Sequence, residues 1–253
     1  MDDKPGDDLM LDVPFANEDR NFDGLGLSEG EVPLYSYAWH PRLVLLPTWQ
    51  LDFKARLVKR LVDLGLALSA LIVFALPALL LMLAIRLESA GPALYRQQRI
   101  GKFGRQFTAL KFRSMVCDPN DRGMIRQATC HDPRVTRIGR WMRRYSVDEL
   151  PQLINVLRNE MSIVGPRPHA PGTKAGGQLF EDVAQCYGTR HFVKPGLTGL
   201  AQVRGWRGET DTEEKLLHRI DCDFEYIAHW SVGLDLAIIW RTARSVWRMT
   251  NAY

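Results

Sequence analysis

A chain of 253 residues has room for one domain of ordinary size with a membrane element and a tail, which excludes a pair of large domains. Its formal charge of +4 hides a division: residues 1–31 hold ten carboxylates against Lys4 and Arg20, so the remaining 222 residues carry +12. A body that basic selects anionic partners, whether nucleic acid, lipid headgroups or phosphorylated substrates. Its four cysteines, Cys117, Cys130, Cys186 and Cys222, show no C-x-x-C pair, so a zinc cage and a disulfide framework are excluded and reduced thiols are expected.

The first 30 or so residues are rich in Asp, Glu, Gly and Asn and poor in large apolar side chains. Such a segment cannot bury enough surface to offset the entropy of ordering, which predicts a disordered acidic tail over 1–50. No basic segment followed by a short apolar run opens the chain, so no secretory signal is expected. From Leu64 to Ile85, 22 residues pass without a charge, which as a helix extend about 33 Å, enough for a bilayer core. Pro77 interrupts this run. Lys54, Arg56, Lys59 and Arg60 precede it and Arg86, Arg96, Arg99, Lys102 and Arg105 follow it, so the positive-inside bias holds both flanks on one side. Two arrangements satisfy these residues: a helix that enters and leaves one leaflet around Pro77, and a single span with a tolerated proline.

Beyond the run, the alternation in Gln106 to Arg113 predicts a strand with Lys111 and Arg113 on the face opposite Leu110 and Phe112. Leu150, Leu153, Ile154 and Leu157 fall at helical spacing, and Ser146 followed by Glu149 reads as a capping box with Pro151 in the first turn. Further helices are expected over 216–227 and 234–247. Trp230, Trp240 and Trp247 suit either a membrane interface or a core.

Chemistry concentrates in Arg143-Arg144-Tyr145-Ser146-Val147-Asp148-Glu149-Leu150-Pro151-Gln152-Leu153. Two adjacent carboxylates at a predicted helix start, just after two arginines, are able to bind a diphosphate, hold a divalent metal or present a carboxylate to phosphorus, although caps are the commoner use of such residues. Val164-Gly165-Pro166-Arg167-Pro168 pins an arginine between prolines, and its planar fork suits phosphate. Among the six histidines there is no H-x-x-x-H pairing for a metal-dependent hydrolase, and His169 reads as structural. A nucleic-acid binder or non-catalytic membrane scaffold is the other class, but Asp148-Glu149 would repel a polyanion, so no nucleic-acid partner is expected.

Together with Lys111-Phe112-Arg113-Ser114-Met115, Asn155-Val156-Leu157, Met161-Ser162 and Pro195-Gly196-Leu197-Thr198-Gly199, these blocks resemble, in order, the bacterial sugar transferase family of monotopic polyprenyl phosphate phosphoglycosyl transferases. The resemblance covers about 54–246 and implies an α+β, mostly helical fold: a re-entrant membrane helix over 51–90 and a small cytoplasmic catalytic domain over 91–253 with amphipathic interfacial helices. It implies that the helix breaks at Leu76-Pro77, where the family has Ser-Pro. It further implies Asp148 as nucleophile with Glu149 as its partner, both near Mg²⁺, and Arg143, Arg167, Lys111 and Arg113 as substrate phosphate contacts. A UDP-sugar donor, a polyprenyl phosphate acceptor and a bacterial inner-membrane location facing the cytoplasm follow from the same likeness, with homodimerisation left open. The run Gly205 to Thr212 resembles members that make undecaprenyl diphosphate glucose for exopolysaccharide or capsule, so UDP-glucose is the first expectation. UDP-galactose and UDP-N-acetylhexosamines come after it.

Overall fold

Every residue from Phe53 to Glu88 is helical, including the one before and the one after Pro77, so the apolar run becomes part of a 36-residue helix, α1. A computed structural model describes residues 53–116, 132–184 and 186–248. The expected tail, Cys117, Cys130 and the side chain of Trp247 lie outside them. By length and composition α1 is long and apolar enough to cross a membrane, with mean hydropathy 2.7 over its central window. Ile72, Val73 and Leu76 are each about two-thirds exposed, a contiguous apolar surface that a water-soluble domain rarely tolerates.

Three polar residues of α1 turn the other way. Lys59 donates to the Val164 carbonyl (3.1 Å), the Tyr226 hydroxyl (3.1 Å) and Asp235 (2.7 Å). Arg60 caps carbonyls of Val156 and Leu157 at 2.7 and 3.0 Å. Asp63, 3% exposed, accepts from the Ser162 hydroxyl at 2.8 and 3.0 Å and from the Ile163 amide at 2.9 Å. Buried charge persists only when its partners are in place, so these three side chains dock α1 on the rest of the chain while its opposite face stays apolar.

Strand β1 (Leu94–Ile100) pairs antiparallel with β2 (Gln106–Phe112), Leu94 opposite Phe112. The expected strand is found one residue shorter. Helix α2 (Arg137–Tyr145) starts at Thr136, whose hydroxyl accepts from the Gly139 amide at 2.9 Å. Gly139 has no substitute here, since a Cβ would stand 2.1 Å from the Ser114 carbonyl oxygen. Helix α3 (Gln152–Leu157) is short and is fastened to β2 by Asn155, fully buried, which accepts from the Leu110 amide and donates to the Thr108 carbonyl. Ala67 of α1 packs with Phe107, Ala109, Leu153, Val156 and Met161 in one core cluster, while Ile85 joins Phe112 and Met142 in another.

Strand β3 (Ser162–Val164) runs parallel to β6 (Gly196–Thr198), and β4 (Lys174–Ala175) pairs with β5 (Gln178–Leu179) ahead of α4 (Phe180–Val183). After β6 come α5 (Leu200–Val203), α6 (Glu213–Ala228) and α7 (Val232–Arg248), the last two within a few residues of expectation. Trp230 is tied to Asp235 at 3.1 Å, whereas Trp240 is 70% exposed. The chain is α+β and mostly helical, as expected.

Replacing Asp63 with alanine strands the Ser162 hydroxyl and the Ile163 amide in a buried site, and each such loss costs about 1–3 kcal/mol. The D63A protein is expected to melt several degrees below the parent in the same detergent; an unchanged midpoint would remove this contact from the docking of α1.

Candidate active site

Between α2 and α3 the chain makes a tight turn. Ser146 adopts a left-handed conformation (φ 58°), ends α2 and leads into a 3₁₀ turn over Val147–Glu149. The capping box expected from Ser146 and Glu149 does not form: Ser146 caps no amide with its side chain, and α3 begins only at Gln152. Both side chains are engaged elsewhere. Arg207 donates to the Ser146 hydroxyl, and Glu149 is held by two cations.

That grip is close. Lys111 of β2 reaches one Glu149 oxygen at 2.7 Å, and Arg167 donates to both, at 2.5 and 3.1 Å. Glu149 is 8% exposed. Burial opposes its ionisation, but Arg167 and Lys111 together hold its carboxyl well below the usual glutamate range. Asp148, next in the chain and 9% exposed, makes no hydrogen bond or ion pair among the described residues. Burial raises its carboxyl above the ordinary value; Lys111 works against this and the charge of Glu149 adds to it. Two adjacent carboxylates thus have opposite environments, one clamped and one unengaged, which is how a fold separates a fixed charge from a reactive one.

Both border a cleft of about 500 Å³ lined by nine arginine or lysine side chains and three carboxylates. Of the residues expected from sequence, Lys111, Arg143, Arg167, Asp148 and Glu149 come together there. Arg143 directs its Nε to the Ser114 hydroxyl at 2.9 Å. Arg113 also lines the cleft. Its guanidinium donates to the carbonyls of Ile85 (3.1 Å), Ser89 (2.6 Å) and Ala90 (2.6 Å) and to the Ser89 hydroxyl (3.0 Å). Arg113, the residue beyond β2, thus caps the end of α1, where carbonyls lack helical partners, while it also borders the cleft. Leu76 and Pro77 lie in α1, apart from this site.

Sequence reasoning missed several members. Arg99 lines the cleft, donating to the Pro168 carbonyl (3.1 Å) and Gln97 (2.6 Å), and burial beside Arg167 lowers it to about 10. Arg190 and Arg219 also enter the lining. Arg219 holds the 208–210 loop through Thr210 and the Gly208 carbonyl. Each sits in an unremarkable local sequence, and only its position relative to the carboxylates marks it.

Among the described residues no three His, Cys, Asp or Glu side chains form a metal cage. A carboxylate offers about four acceptor sites, of which Glu149 uses three and Asp148 none. This donor set suits an ion that keeps water and takes most of its oxygens from a phosphorylated ligand, as Mg²⁺ does.

A basic cleft around an unequal carboxylate pair, in a chain with one helix long and apolar enough to cross a membrane, marks a domain suited to phosphorylated ligands. The chain belongs to the bacterial sugar transferase family, whose model matches residues 54–249. It is 51% identical over 197 residues to the undecaprenyl-phosphate glucose phosphotransferase of Komagataeibacter xylinus, covering 78% of this chain and 37% of that protein. It is 47% identical to the exopolysaccharide production protein PSS of Rhizobium leguminosarum bv. phaseoli, covering 74% of this chain and 94% of that one. With the UDP-N-acetylgalactosamine-undecaprenyl-phosphate N-acetylgalactosaminephosphotransferase of Aeromonas hydrophila the identity is 38%, over 75% and 43% respectively. The matched segment thus spans about two-fifths of the first and third of these relatives and nearly all of the second.

A carboxyl raised in the folded state costs stability once it ionises, so the cost is present above the ordinary aspartate value of 3.8 and fades below it. Asp148→Asn is therefore expected to raise the melting midpoint at pH 7, with the gain shrinking toward pH 3. A midpoint lowered at pH 7 would contradict this reading of the site.

Proposed function

We propose that the protein transfers a hexose 1-phosphate, glucose 1-phosphate first, from a UDP-sugar to undecaprenyl phosphate through a covalent intermediate on Asp148. One observation carries this: a buried carboxylate without a partner stands beside one that is locked as an anion, in a cleft dominated by cations. The names borne by the relatives agree with the donor and acceptor.

In the first step an Asp148 oxygen attacks the phosphorus that bears the sugar. A bond forms between them, the bond from that phosphorus to the bridging oxygen breaks, and UMP leaves with the electron pair. In the second step an oxygen of undecaprenyl phosphate attacks the same phosphorus, the bond to Asp148 breaks, and the carboxylate is regenerated as undecaprenyl diphosphate sugar departs. Both steps gather negative charge at phosphorus, which Lys111, Arg143 and Arg167 are placed to offset by fixed positive charge in a low-dielectric cleft. Glu149 acts as an electrostatic keystone that fixes Lys111 and Arg167 and offers one remaining lone-pair site. Asp148 and that site would hold Mg²⁺, which would supply charge neutralisation to the diphosphate.

The same reading places the protein on the inner membrane with its cleft facing the cytoplasm, at the first membrane step of exopolysaccharide or capsule assembly. It makes α1 re-entrant. Asp63 docks on β3 and Ile85 on the core near α2, 22 residues or about 33 Å apart along a helix. A helix set straight across the bilayer would place those two contacts at opposite surfaces and draw the polar domain between them into hydrocarbon. An anchor bent within one leaflet keeps both contacts at one surface, and Pro77 supplies the position for the bend.

Intact-protein mass tests the chemistry. With Mg²⁺ and UDP-glucose but no lipid acceptor, the protein is expected to gain one hexose phosphate, and Asp148→Asn to gain nothing. A gain only with UDP-galactose or a UDP-N-acetylhexosamine would reassign the sugar. Transfer to lipid without any adduct would replace the covalent route by a direct one, and no transfer with any donor would favour a non-catalytic scaffold. For topology, single cysteines placed near residues 54 and 95 are expected to label from the same side of the membrane; labelling from opposite sides would establish a span.

A further inference from the structure

Behind the Gly165-to-Pro168 turn lies a polar network that the steps above do not use. Arg190, 6% exposed, faces Asp223 of α6, 2% exposed, at 2.6 Å. The same guanidinium donates to the backbone carbonyl of Arg167 at 2.8 Å and to the Tyr187 hydroxyl. A guanidinium only donates, so the tyrosine accepts from it and keeps its own proton for His169 Nδ1, 2.8 Å away. His169 follows Pro168 in the turn, and burial together with Arg190 lowers it to about 2, leaving a neutral ring whose Nδ1 is free to accept. The His169 carbonyl accepts from the Ile100 amide at 3.0 Å. The turn is thus gripped on both sides of Pro168, at the Arg167 carbonyl and at the His169 ring.

We propose that Asp223 and Arg190 are positioning residues for the transfer reaction: they hold the backbone of Arg167 so that its guanidinium meets Glu149 and the substrate phosphate in one orientation. Burying an ion pair is a poor route to stability, because desolvation offsets most of its attraction. This pair does something an apolar substitute would not, since its cation has a donor left for the carbonyl of a cleft arginine. The Gly196 amide holds the Pro166 carbonyl and Arg99 holds the Pro168 carbonyl, and Arg190 adds the restraint on the carbonyl of Arg167 itself. Asp223 lies one helical turn after Arg219, which holds the 208–210 loop. One face of α6 therefore sets two walls of the cleft.

The proposal rests on the transferase reading, and a double-mutant cycle on transfer, with the parent protein run alongside, separates the two. If the parent does not transfer sugar phosphate, the transferase reading fails, not the positioning role. Given parental turnover, Arg190→Lys keeps the charge but loses the fork. It is expected to lower kcat at least tenfold with the donor KM changed less than threefold, and to lower the residual rate of Arg167→Ala less than twofold. Adduct formation followed over hours by intact mass reads those slow rates. Tyr187→Phe, a milder change that keeps the ion pair, is expected to lose about three- to tenfold in kcat and serves if Arg190→Lys does not fold. A folded Arg190→Lys or Tyr187→Phe protein with parental kcat, or an equal loss with and without Arg167, overturns the proposal, because a purely structural residue acts alike in both backgrounds.

Discussion

The site depends on the ionisation of one buried carboxylate. Glu149 is drawn from water by its surroundings and kept charged only because Lys111 arrives from a strand and Arg167 from a turn that follows β3. Remove either cation and the buried carboxylate loses part of the attraction that keeps it ionised, so the clamp depends on three separate segments meeting. Asp148 inherits its condition from this. With Lys111 and Arg167 committed to Glu149, its side chain has burial without a hydrogen bond among the described residues, an environment that leaves a carboxylate poorly solvated.

The second dependence is between the helix and the domain. An apolar helix needs no partner in lipid, yet α1 carries Lys59, Arg60 and Asp63 in its first turns, and all three find partners on α3, β3, α6 or α7. At its other end the carbonyls that a helix leaves unsatisfied are taken by Arg113. The cleft is consequently tied at a set distance from the apolar surface. For the transfer proposed above, whose acceptor would have its phosphate at the membrane surface and its tail in hydrocarbon, that distance matters as much as the charges in the cleft.

Much of this was legible in the residues. Twenty-two uncharged positions announce a membrane helix because desolvating even one charge there is costly. The alternation before Arg113 and the spacing of Leu150, Leu153, Ile154 and Leu157 announce β2 and α3 because periodicity is a local property. The pair Asp148-Glu149 and the proline-bounded Arg167 stood out by composition, and the resemblance to a family gave them roles. Local reasoning failed where a longer contact overrode it. Ser146 and Glu149 match a capping box, but the energy of a charge-assisted pair with Lys111 and Arg167 exceeds that of a cap, and no local pattern showed that Arg113 satisfies helix carbonyls.

The sequence by itself determined the long apolar helix, the basic character of the body, the segments that become helix and strand, and the adjacent carboxylates that the cleft encloses, because each is written in neighbouring residues. Only the tertiary structure decided which carboxylate is clamped and which is left unengaged, that Arg99, Arg190 and Arg219 share the cleft, and that Arg113 also caps carbonyls at the end of α1. Those outcomes depend on contacts between residues far apart in the chain, where burial multiplies the strength of a charge pair and no local pattern records which partner it meets.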